Sequence, residues 1–229
     1  MITLVATIIS VPIGLLTSIY LVEYSSKGVF SRAITFLVDV MTGIPPSIVA
    51  GLFAAAMMMG FYQATGQSIQ KATMGLTAAI ALSVLMIPVV VRTTEEMLRV
   101  VPNELREASY ALGVRKWRTI MQVVIPTAIS GIASGVTLAI ARVAGETAPI
   151  LVTAGVAVQT NWNPFQNWMM TLPVFIYRQL THPTAPSQPG PSELRAWGGA
   201  ALVLILIVMA LNGIARFIAW KFAPKKSGR

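Results

Sequence analysis

The chain contains no cysteine and one histidine, His182. Without thiols there is neither a disulfide framework nor a thiolate metal site. A single imidazole excludes a His-paired catalytic triad and a multi-histidine metal centre. Charge is scarce as well: 11% of the 229 residues are Asp, Glu, Lys or Arg, against about 25% in ordinary soluble domains. With 55% apolar residues, this composition leaves no soluble surface, and the chain reads as an integral membrane protein. The pattern G-x-x-x-x-G-K-[ST] does not occur, so the chain has no P-loop with which to bind and hydrolyse ATP. Met57-Met58-Met59 reads as lipid-facing or core filler rather than a metal site.

What is present is a set of five apolar runs, roughly 1–22, 34–61, 74–92, 127–158 and 196–220, each near the ~20 residues that cross a bilayer. The net charge of +9 is distributed unevenly between them. Lys27 and Arg32 follow the first run. Arg92, Arg99, Arg106, Arg115, Lys116 and Arg118 lie between the third and fourth, and Arg216, Lys221, Lys225, Lys226 and Arg229 end the chain. The opposite loops hold only Lys71, Arg178 and Arg195, and Arg142 lies within a span. Basic loops of this kind orient a membrane protein rather than bind nucleic acid, and the basic side is cytoplasmic. The C-terminus is then expected inside and Met1 outside. Residues 1–22 carry no basic n-region of a signal peptide, so the expectation is a missing in-to-out span before them, with an odd-numbered variant as the alternative.

Two runs are broken. Gly43-Ile44-Pro45-Pro46-Ser47 removes backbone donors, which predicts an interfacial helix over 31–42 and a span over 45–62. A simple kink is the alternative. Pro12 and Gly14 are tolerable within a membrane helix. The run 127–158 is too long for one upright span and is interrupted at Gly145 and Pro149. Arg142 and Glu146 flank this break four residues apart, on one helical face if the helix continues. Ionisable groups at membrane depth mark a pathway or a site, although a structural ion pair is the plainer reading. Asp39 reads as solvated or capping. The loop 159–195 cannot be regular throughout, given Pro183, Pro186, Pro189 and Pro191. Trp162, Trp168 and Trp197 read as interfacial anchors.

Segment 93–126 is the informative soluble stretch. Asn103 is a candidate N-cap with Glu104 in the first turn, and Gly113 a natural stop. Leu105, Ala108, Ser109 and Leu112 fall at helical spacing, one face with small residues at its centre. After Gly113 the period resumes with Trp117, Ile120, Met121 and Val124 and is expected to stop at Pro126. A helix–glycine–helix elbow results. Its small-residue face suits docking of a partner, and periodicity alone serves equally an elbow folded back on its own membrane domain.

The elbow spells Glu107-Ala108-Ser109-x3-Gly113-x9-Val123-x-Ile125-Pro126. This resembles the EAA motif of ABC importer permeases, E-A-A-x3-G-x9-I-x-L-P, with every spacing kept. Ser109 replaces the third-position alanine, and Val123 and Ile125 replace other aliphatics. The stretches 43–53, 91–98 and 141–149 are similar to PstA-type permeases of phosphate-specific importers. The resemblance runs along essentially the whole chain and is weakest in 159–195. It implies an all-α type I ABC importer transmembrane domain over 1–229, with a cytoplasmic coupling loop at 93–126 and a periplasmic loop at 159–195. Six spans are usual in that family, and this sequence begins at what resembles the second. Leu105, Glu107, Ala108, Ser109, Leu112 and Gly113 would form the helix that couples to the ATPase.

The resemblance also implies partners: a homologous PstC-type permease, two PstB-type ATPase subunits that hold ATP and magnesium, and a PstS-type periplasmic binding protein. The chain itself would be a non-catalytic multi-pass subunit of the bacterial inner membrane, without a cofactor of its own. Arginine forks hold two oxygens of a phosphate at once, which makes Arg142 and Arg92 the candidate pathway residues, with Glu146 orienting Arg142. Alternatively, Arg92 snorkels to the headgroups. The rival cargoes are sulfate, molybdate and phosphonate. An ATP-independent carrier or channel is a rival of another class, and a membrane-embedded enzyme is a third.

Overall fold

The computed structural model describes every residue except 26–27, 44–45, 67–71, 156, 158–160, 182–190 and 223–229. His182, Pro183, Pro186 and Pro189 lie outside the described residues, as do Lys27, Lys71, Lys225, Lys226 and Arg229. So do Ile44 and Pro45, and the side chain of Trp197 is likewise not described.

Ten α-helices follow one another and no strand occurs among the described residues. They are α1 (Ile2–Ile19), α2 (Val29–Gly43), α3 (Pro46–Ala64), α4 (Gly75–Val100), α5 (Asn103–Ala111), α6 (Lys116–Thr119), α7 (Ile125–Ala144), α8 (Ala148–Thr153), α9 (Leu172–Thr181) and α10 (Pro191–Phe222). π-helical turns extend α1 over Tyr20–Tyr24 and join α6 to α7 over Ile120–Val124. Four helical stretches are long and apolar enough to cross a membrane: Ile2–Tyr24, Gly75–Val100, Lys116–Ala144 and Gly198–Ile218. The second predicted run, 34–61, yields a shorter apolar helix, Val49–Ala64.

α4 is the centre of the fold. Its 26 residues extend about 39 Å at 1.5 Å per residue. Leu82, Met86, Val90, Val91 and Leu98 on it are fully buried. α1 runs parallel to it: Ser10 Oγ bonds the Ser83 carbonyl at 3.4 Å and Ser18 Oγ the Val91 carbonyl at 2.9 Å, a constant offset along both helices. Contact is close because Gly14 has no side chain; a Cβ there would lie 2.6 Å from Val90 Cγ1. α7 crosses α4 in the opposite sense, Gly131 meeting Met97 and Gly135 meeting Thr93. Small residues at helix crossings are how membrane helices gain packing when lipid offers no hydrophobic drive. α3 packs on α4 and α8, and α10 on α7 and α9.

Several boundaries differ from the sequence reading. α4 continues eight residues past Arg92, because Glu95 pairs with Arg92 at 3.3 Å and Arg99 at 2.6 Å along the helix, so the polar loop is shorter than 93–126. Pro126 does not stop the second elbow helix. The π turn just before it accommodates the ring, and Pro126 takes a position in the first turn of α7, where its missing N–H costs nothing. Pro102, not Asn103, occupies the N-cap of α5. Within 159–195, α9 is regular; the proline-based reading passed over it because Pro173 sits in its first turn. α2 spans Val29–Gly43 rather than 31–42 and packs on α4: Val38 is buried beside Val91 and Leu21, and Met41 and Thr42 lie near Pro88.

Candidate functional site

Two places bring the singled-out residues together. The first is a cavity of about 80 Å³ lined by Met41 and Thr42 of α2, Leu85, Pro88 and Val89 of α4, and Arg142, Val143 and Glu146. Pro88 marks the midpoint of α4, so the cavity lies halfway along the longest buried helix. The ends of α2 and α7 meet there. α2 ends at Gly43 and α3 starts at Pro46, while α7 ends at Ala144 and α8 starts at Ala148.

Arg142 and Glu146 share this cavity without pairing. Neither side chain forms an ion pair or hydrogen bond among the described residues. The expected pair fails for a local reason. α7 terminates between the two positions, with Gly145 as its C-cap, so the i,i+4 relation of a continuous helix no longer applies. Arg142 is exposed to the cavity, a guanidinium with five donors and no acceptor among the described residues.

Arg92 is differently placed. It lies one turn along α4 from Pro88 and pairs with Asp39 of α2 and with Glu95. Asp39 is therefore neither merely solvated nor a cap, as its isolation in the sequence suggested, but a cross-helix partner. Two carboxylates beside Arg92 cancel the positive field that an anion would need there. In this structure Arg92 is paired with both carboxylates, whereas Arg142 has no partner among the described residues. Among the described residues no cluster of three or more His, Asp or Glu could hold a metal ion.

The second place is the elbow. Leu112 is the C-cap of α5, and Gly113 follows with φ +75°, the left-handed conformation in which glycine pays no Cβ penalty. Leu105, Glu107, Ala108 and Leu112 are exposed, and Leu112 keeps 83% of its surface. Ser109 is not part of that open surface. It is buried, and its hydroxyl bonds Thr119 Oγ1 at 2.9 Å, closing the elbow on itself. Trp117 and Met121 are also exposed, which extends an apolar outer surface along both arms.

The sequence reading missed what fastens this elbow. Arg106 counted only as one basic charge among several, yet its guanidinium binds Glu23 Oε1 through Nε at 3.1 Å and Nη2 at 2.9 Å. It also donates to the carbonyls of Leu98 at 2.9 Å and Val101 at 2.6 Å, and to Asn103 Oδ1 at 3.2 Å. The pair spans 83 positions, and nothing local in the sequence marks it. The one signal was Glu23 itself, an acid at the end of an otherwise uncharged run.

Residues 10–228 match the family model "Binding-protein-dependent transport system inner membrane component". The chain is 48% identical over 221 residues to the phosphate transport system permease protein PstA 1 of Mycobacterium tuberculosis, covering 94% of this chain and 67% of that protein. It is 49% identical to PstA of Mycobacterium leprae, covering 94% and 67% of the two chains, and 39% identical to PstA of Yersinia pestis, covering 96% and 68%. The chain thus spans about two-thirds of the length of these relatives. Its fold superimposes on a membrane chain from inward-facing conformations of the MetNI methionine ABC transporter with a TM-score of 0.72, at 19% identity, over 97% of this chain and 92% of that one. Family model, relatives and fold agree: the chain belongs to the binding-protein-dependent transport system inner membrane components, among the PstA-type phosphate transport system permeases.

Proposed function

We propose that this chain forms one half of the translocation pathway of an ATP-driven importer of inorganic phosphate, with Arg142 as the arginine that receives the anion. The supporting observation is a guanidinium with no partner among the described residues, facing a cavity halfway along α4 where α2 and α7 end. An anion leaving water exchanges its shell for donors of opposite charge, and arginine presents a fixed fork to two phosphate oxygens. Glu146 shares the cavity and keeps the site from holding the anion too tightly, since conduction requires release as well as entry. Arg92 lies further along the pathway, held in this state by Asp39 and Glu95.

The open outer surface of the elbow, with Leu105, Glu107, Ala108 and Leu112, docks against a separate ATPase that carries ATP and magnesium. Ser109 and Gly113 shape the elbow from within. A PstC-type permease completes the pathway, two PstB-type ATPases drive it, and a PstS-type binding protein delivers phosphate at the outer face. The basic loops put the elbow and the C-terminus in the cytoplasm and 159–195 in the periplasm.

Uptake of radiolabelled phosphate by the reconstituted complex, with sulfate, molybdate and phosphonate as competitors, tests the cargo. Preferential suppression by one competitor would replace phosphate. Uptake that persists without ATP would replace the importer with a carrier or channel.

A further inference from the structure

We propose that the π turn Tyr20–Tyr24 at the end of α1 is the joint through which the elbow's movement enters the membrane helices, with Glu23 as its positioning residue. This rests on the docking role proposed for the elbow. The first observation is that α5 has little apolar anchorage: Ser109 is its only buried residue. What ties α5 down is polar. The Arg106 guanidinium is 13% exposed and the Glu23 carboxylate 5%, and the two meet through two donors at 2.9 and 3.1 Å. The same guanidinium takes the carbonyls of Leu98 and Val101 at the end of α4. One side chain therefore joins the elbow to the cytoplasmic ends of both parallel helices.

The second observation is independent of the first. Lys116, at the start of the other elbow arm, places its ammonium 5.1 Å from the centre of the Tyr24 ring. Neighbouring residues of one π turn thus hold both arms, Glu23 the first and Tyr24 the second. The turn itself departs from the regular helix, with a bond pattern that widens the last turn of α1. Beyond it α1 is packed rigidly on α4 through Gly14 and the Ser10 and Ser18 bonds. A push on the elbow is therefore transmitted to α1 and α4 as a pair. α7, reached through the second π turn, moves by a separate connection.

The test uses the complete importer in proteoliposomes and reads phosphate taken up per ATP hydrolysed, beside recovery of the ATPase on purification. Glu23→Gln keeps the shape and removes the charge. The expected result is normal ATPase recovery with uptake per ATP lowered roughly fivefold or more, the lower range of a coupling free energy. Combining Glu23→Arg with Arg106→Glu should restore part of the ratio. A Glu23→Gln complex with wild-type uptake per ATP overturns the proposal, and so does one that has lost its ATPase. If the Glu23→Gln permease chain itself is not recovered folded from the membrane, Tyr24→Leu decides. That ring is half exposed, and its loss should lower the ratio about two- to fivefold, as expected for a surface cation–π contact; an unchanged ratio overturns the joint. Ala108→Trp, examined in parallel, separates the underlying reading. Full ATPase recovery with that variant removes docking, and the joint with it, whatever Glu23 does.

Discussion

Arg142 is informative because of what it lacks. A cavity-facing guanidinium with no carboxylate partner among the described residues, halfway along a membrane-length helix, has no structural partner to explain it, and an ionisable group at membrane depth marks a pathway or site by default. We expect Arg142→Gln to abolish phosphate uptake. Loss of a charged hydrogen-bonding group corresponds to roughly 1.5–3 kcal/mol, about a 10- to 150-fold weaker hold on the anion. Arg142→Lys should also be severely impaired, because it keeps the charge and loses the fork. Since no Arg142–Glu146 bond exists to break, both variants should assemble at wild-type yield, and adding Glu146→Gln should not rescue uptake. Radiolabelled uptake beside quantified complex yield checks this; recovery of yield by the double variant would return the two residues to a structural pair. Arg92 makes the contrary forecast. With Asp39 removed as Asp39→Asn, its charge is less balanced, so phosphate should be held longer and maximal uptake rate should fall more than apparent affinity. An unchanged rate would remove the Asp39–Arg92 pair from the pathway.

At the scale of elements, Gly14 tests the packing of α1 on α4. A Cβ there meets the branched, poorly adaptable side chain of Val90 at 2.6 Å. Gly14→Ala should therefore cost on the order of 1–3 kcal/mol of packing strain, read as a lower melting temperature of the purified permease. Unchanged melting would mean that the helices separate at no cost. Helix identity was legible wherever apolar length or a break decided it: the run 1–22, the stop at Gly113 and the interruption at Gly145 all reappear in the fold. Helix ends were not. The sequence reading ended the third run at Arg92, because charges are taken to lie outside a span, whereas Glu95 folds its neighbours' charges along the helix surface. Pro126 was taken as a stop because a π turn leaves no signature in composition. The Arg142–Glu146 face failed from the break that had been recognised beside it. A helical spacing rule was carried across a residue at which the helix ends.

For the whole molecule, the helix directions fix an orientation that can be measured. α1 and α4 run parallel and α7 runs against them, so the ends of α1 and α4 and the start of α7 all gather at the elbow. The stretch holding Trp162 and Pro164 gathers at the opposite end, where Leu76 N–H donates to the Pro164 carbonyl at 2.8 Å and Met169 N–H to the Ala154 carbonyl at 3.1 Å. Arg99, Arg106, Arg115, Lys116 and Arg118 lie at the elbow end, and this coincidence of charge with helix direction supports the cytoplasmic placement proposed for the elbow. Because the chain has no cysteine, single thiols report without background. Trp117 and Trp162 are exposed at opposite ends and each is placed to accept a substitution without disturbing a core. In intact cells a membrane-impermeant maleimide should label Trp162→Cys and spare Trp117→Cys, and permeabilisation should expose both. Labelling of Trp117→Cys from outside would invert the molecule, and an elbow outside the cell could meet no ATP-driven partner.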